Sequence, residues 1–265
     1  MMRVQAPAPL AVSVDGQPAP IAEPARERVA VPVWSGLLSA TAAVVLLYGA
    51  ELLTTVALIV GTVLALGREP SLAPGHLLPA AADAAAYALV GWFAFARLRR
   101  LRTHAFRPLR ARDVRALALG IAALVLVKAG TFAQLVATHQ TEHVQSGFEH
   151  FGVTSLSPAL ATASILLSVL TMVVIAPIVE ETVFRGLLFG ALARPLGVVA
   201  AAALSALVFG GVHLDAVLFP SLAAIGFINA LCYAATGNLT VCVAIHALNN
   251  GLGTVVLIAG ALRPS

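Results

Sequence analysis

The feature that most narrows what this chain can fold into is the length of its uncharged runs. Residues 33–66 pass with Glu51 as their only charge, and residues 116–137 with Lys128 as theirs. Residues 196–214 and 239–262 contain no Asp, Glu, Lys or Arg. A membrane-spanning helix needs roughly 20 apolar residues, and these runs reach that length. Backbone groups in lipid must be bonded within the protein, so spans of this kind are helices. A transmembrane barrel would show short alternating segments, and none are present. Composition agrees: charged residues make up 11% of the chain, against about 25% in soluble domains. The expected fold is all-α, a polytopic membrane bundle of about seven transmembrane helices, or eight if one long run is broken.

The chain divides by charge. Residues 1–30 are rich in Pro and Ala and show no signal-peptide pattern, so they read as a disordered cytoplasmic tail. Residues 31–157 form an N-terminal set of transmembrane helices. Their strongest marker is the loop carrying Arg97, Arg99, Arg100, Arg102, Arg107, Arg110, Arg112 and Arg115. Short arginine-rich loops stay in the cytoplasm. The net charge of +4 therefore signals membrane orientation in a multi-pass protein of the cell membrane, surrounded by lipid, and not nucleic-acid binding. Lys128 is expected to pair with Glu51 or Asp83 in the bundle interior. Cys232 and Cys242 lie in apolar segments and read as free, buried thiols.

Residues 158–265 form a C-terminal core that holds the unusual chemistry. Glu180 and Glu181 stand side by side in one of the most apolar stretches of the chain. One acid at membrane depth costs roughly 2.5–3.5 kcal/mol on insertion scales. Glu181 and Arg185 are four apart, the favourable acid-then-base order on a helix. Glu180 points about 100° away from Glu181. Its partner must therefore come from another helix. Pro177 is expected to kink or break the helix just before it.

Two later segments supply candidates. His213 follows Phe209, Gly210 and Gly211, and small residues there permit close helix approach. His246 and Asn250 are four apart and share a helix face. A carboxylate, two imidazoles and an amide are the parts of a hydrolytic site. Glu180 can act as general base on a water with His213 orienting it, while His246 and Asn250 donate to an oxyanion. Alternatively Glu180, His213 and His246 can bind zinc, with water in the fourth position. Spacing alone does not separate the two.

The motifs Glu180-Glu181-x-x-x-Arg185, Phe209-x-x-x-His213 and His246-x-x-x-Asn250, in this order, resemble those of the CPBP intramembrane proteases. That family includes type II CAAX prenyl endopeptidases and bacterial Abi, or bacteriocin-immunity, proteins. The resemblance covers residues 158–262. It implies an intramembrane endopeptidase acting on a membrane-associated or lipidated peptide or protein. Glu180 would be the general base and His213 its water-positioning partner. His246 and Asn250 would form the oxyanion hole, with Glu181 and Arg185 in support. Members are commonly described as metalloproteases, and a metal-free mechanism is also argued for them.

Other readings compete. A non-catalytic immunity or scaffold protein of the same family needs no intact site, whereas all four candidate residues are present. A transporter relaying through Glu51, Asp83 and Lys128 predicts matching broken helices in both halves, and only Pro177 qualifies. The spacing His139-x-x-Glu142-His143 is that of an inverted zinc-peptidase motif. It lies in a polar loop near Gly147, and is read as a surface segment.

Overall fold

The computed structural model describes residues 31–66, 77–101, 105–141 and 158–261. Seven helical rods lie among the described residues. Helix α1 is Val33–Leu66, α2 is Leu77–Arg100 and α3 is Ala111–Ala137. Rod α4 is composite. It joins Pro158–Leu170, a π-turn at Thr171–Ile175, Ala176–Glu181, a second π-stretch at Thr182–Phe189, and Gly190–Leu196. Helices α5, α6 and α7 are Val198–Val212, Phe219–Thr236 and Leu239–Ala261. Among the described residues, five stretches are long and apolar enough to cross a membrane: Val33–Ala50, Ala111–Ala137, Thr162–Leu196, Phe219–Thr236 and Leu239–Val256. Helix α5 is apolar but shorter. The protein is a multi-pass helical membrane bundle.

Of the kink or break expected at Pro177, the break does not occur, because α4 runs on through it. A proline has no N–H and its ring crowds the carbonyl four residues back. The chain absorbs this by widening the turn immediately before it. In Thr171–Ile175 the ladder switches to π-type bonding, and the N–H of Ala176 reaches back to Thr171 O. Pro177 then sits at the start of the next α-helical segment, where a missing N–H is tolerated. The helix thus passes through residues 176–181 without interruption and carries both glutamates into the bundle.

Small residues bring the rods close. A Cβ on Gly226 of α6 would lie 3.1 Å from the Cα of Ala206 on α5. Gly36 of α1 faces α4 so closely that a Cβ there would stand 2.8 Å from Leu187 O. With no hydrophobic drive between helices in lipid, such close approach is how membrane helices gain packing energy.

The arginine-rich loop is knotted to the α6–α7 turn. Arg107 forks onto the buried Asp113 at 2.6 and 3.0 Å. Arg107 and Arg112 both donate to Thr236 O, the last residue of α6. Asn238 Nδ2 donates to Arg107 O at 3.1 Å, and Leu239 N–H to Ala105 O at 2.7 Å. Gly237, at φ 66°, supplies the left-handed residue that ends α6. The C-terminal end of α6 and the start of α7 therefore lie on the same side of the bundle as the arginine-rich loop. Arg185 marks no side of the membrane, because it is fully buried.

The expected interior pair of Lys128 with Asp83 is not formed. Helix α2 packs on α1 and α4, whereas α3 packs on α6 and α7, so the two residues sit on separate faces. Asp83 is exposed and Lys128 half-buried. The side chain of Glu51 lies outside the described residues, as do Glu142 and His143 of the histidine-rich loop. The two cysteines are buried and free, as expected.

Candidate active site

The two adjacent glutamates meet different neighbours, as their angular separation on a helix requires. Glu181 faces the centre of the bundle and is fully buried. Its Oε1 lies 3.1 Å from Arg185 Nη1 and 2.9 Å from His246 Nδ1, and accepts from Asn229 Nδ2 at 2.9 Å. Arg185 is itself held from two other directions. Its Nη2 donates to Gly226 O at 3.1 Å, and its guanidinium stacks 4.5 Å above the Phe209 ring. A charge pair without water needs such surrounding donors and acceptors to survive burial.

Glu180 faces outward to α2. The Tyr87 hydroxyl donates to its Oε1 at 2.9 Å. Its Oε2 is buried, accepts no protein hydrogen bond, and lies 3.8 Å from His246 Nε2. His246 thus stands between the glutamates. It donates through Nδ1 to Glu181 and turns Nε2 towards Glu180.

Glu180 and His213 line one cavity of about 70 Å³, which is large enough for water. Helices α1 and α2 complete its wall with Tyr48, Tyr87 and apolar side chains. His213 Nδ1 lies 2.7 Å from Phe209 O. A carbonyl oxygen only accepts, so Nδ1 carries a proton. Phe209 is the platform of the site. Its buried ring meets His213, His246 and Phe184 edge-on, with centroids 4.8, 5.6 and 5.2 Å away.

Asn250 does not join this cluster. Its Nδ2 donates to Met172 O at 2.8 Å. The reason lies in the π-turn. Ala176 N–H is spent on Thr171 O, and Pro177 has no N–H to close the next ring onto Met172. The Asn250 amide satisfies that orphaned carbonyl. Asn249 donates in turn to Asn250 Oδ1 at 3.0 Å. Asn250→Ala should therefore cost about 1–3 kcal/mol, the penalty for an unsatisfied buried acceptor. In Pro177→Ala, which restores an N–H, the same change should cost less. A thermal-melting double-mutant cycle reads the difference, and equal costs would contradict this role.

Asn229 and Tyr87 are the site neighbours that the motif reading did not single out. Asn229 carried a usable signal, since a buried amide in an apolar helix must find a partner. Tyr87 carried none, because a tyrosine in an apolar span ordinarily packs.

The residues expected as zinc ligands do not converge. Among the described residues no three His, Cys, Asp or Glu side chains are grouped as metal ligands would be. His246 uses one nitrogen on Glu181, and His213 uses one on a backbone carbonyl. Glu180, His213 and His246 therefore do not fit zinc as they stand.

Residues 162–252 match the family model described as type II CAAX prenyl endopeptidase Rce1-like. Over these residues the chain is similar to the CPBP/CAAX proteases. The match spans α4 from its first turns through most of α7, and so contains every candidate residue named from the motifs. No curated protein and no solved structure matches the chain.

Proposed function

We propose that this protein hydrolyses a peptide bond of a membrane-associated or lipidated protein, using a water activated by Glu180. The observation that carries the reading is the contrast between the two glutamates. Glu181 is turned to the bundle centre, where its Oε1 meets Arg185, His246 and Asn229, whereas Glu180 lines a cavity shared with His213. Glu181 and Arg185 are then support, holding His246 by its Nδ1.

In this reading a water in the cavity lies between the Glu180 carboxylate and the His213 ring. Glu180 takes one proton as the water oxygen attacks the scissile carbonyl carbon. The tetrahedral intermediate collapses, the C–N bond breaks, and the proton passes from Glu180 to the leaving amine. His246 Nε2 is placed beside this centre. Asn250 can serve the oxyanion only by exchanging its bond to Met172 O. No step requires a metal held by Glu180, His213 and His246. Residues 158–265 act as the catalytic core, α1 and α2 close the cavity, and the cell membrane is the proposed location.

His246 lies seven residues beyond Leu239, roughly 10 Å into the bundle at 1.5 Å per residue. This depth suits a substrate bond near the arginine-lined surface. The test is incubation of the purified protein in lipid vesicles with prenylated and unprenylated membrane peptides, read by mass spectrometry. The expected products are two fragments whose masses sum to substrate plus one water. Intact peptides of both kinds throughout would count against the reading.

A further inference from the structure

We propose that Tyr87 is a positioning residue of this site, holding the Glu180 carboxylate in one orientation beside the cavity that His213 also lines. The inference rests on the proposed role of Glu180. It concerns a residue of α2, outside the segment 162–252 that carries the family match.

The terminal torsion of a glutamate is broad and roughly two-fold, so its carboxylate is not oriented by its own rotamer. An outside donor must choose between the two oxygens. The Tyr87 hydroxyl does so at 2.9 Å from Oε1. That leaves Oε2 turned towards His246 Nε2, 3.8 Å away. Both Tyr87 and Glu180 line the cavity that His213 also lines. The two remaining motif helices do not provide this contact. His213 is tied to its own helix through Phe209 O, and His246 is tied to Glu181. Tyr87 keeps its proton throughout and touches Glu180, not the reacting bond. Tyr48, the second tyrosine of the cavity, donates instead to Val212 O.

The experiment uses the full-length protein in lipid as wild type, Tyr87→Phe, Tyr48→Phe and Glu180→Gln. Infrared difference spectra against Glu180→Gln isolate the Glu180 carboxylate stretch. That band should shift in Tyr87→Phe and stay in place in Tyr48→Phe. Cleavage by Tyr87→Phe should show kcat reduced roughly tenfold or more, as for loss of a hydrogen bond to a charged group, with KM unchanged. A merely structural tyrosine would move the melting temperature and leave the band in place. An unshifted band overturns the proposal, and so does a wild-type kcat in Tyr87→Phe. If the band shifts while the wild type cleaves nothing, the pairing stands and the hydrolytic reading of Glu180 fails. If the wild type cleaves, Glu180→Gln does not, and Tyr87→Phe matches wild type, the hydrolytic reading stands and the role of Tyr87 fails.

Discussion

Glu180→Gln is expected to slow cleavage by about 10²–10⁴-fold, the usual contribution of a general base, without unfolding the protein. Glutamine matches glutamate in shape, and its carbonyl oxygen can still accept from Tyr87 O–H. What it lacks is an oxygen that can take a proton from water. The side chain is only partly buried and bears none of the central packing, so the melting temperature should stay near that of the wild type. His213→Ala should also reduce the rate, because it removes the imidazole that lines the cavity with Glu180. Since the two act on one water, the double variant should be little slower than Glu180→Gln alone. Multiplying effects in the double variant would mean that they serve separate steps.

Arg185→Leu should have a large effect of a different kind. Arg185 and Glu181 are both fully buried, and Glu181 Oε1 meets Arg185, His246 and Asn229 at one point. Removing one partner of a buried pair leaves an uncompensated charge and typically costs 3–5 kcal/mol. The loss should appear as a lowered melting temperature and reduced yield in the membrane, before any assay of cleavage. Wild-type melting of Arg185→Leu would show that Glu181 is not buried as a charge. Paired with Glu180→Gln, this variant separates a residue that holds the site together from one that uses it.

The two kinds of glutamate were legible in the sequence because helix geometry is local. Four-residue spacing brings Arg185 to Glu181, and one-residue spacing turns Glu180 elsewhere. The bundle was legible because uncharged runs of such length have few alternatives in water. That Pro177 would leave α4 unbroken was not legible, for a physical reason. Its steric demand is real, but a π-turn satisfies it at less disruption than a break, and the amide of Asn250 then caps the carbonyl left over. Sequence spacing cannot reveal that compensation, because Asn250 lies far along the chain. The same holds for Tyr87, whose partner is 93 residues away. Lys128 and Asp83 look like natural partners when charges are scarce, yet their helices pack on different sides of the bundle. Pairing preferences act only between surfaces that the fold brings together.

The most direct measurement is the single-turnover cleavage rate of wild type beside Glu180→Gln, in the same lipid vesicles, each with and without chelator. The account predicts cleavage by the wild type that chelator leaves unchanged, and a rate for Glu180→Gln lower by at least about 10²-fold. Cleavage by Glu180→Gln at the wild-type rate would contradict it. So would wild-type activity that chelator removes and zinc restores.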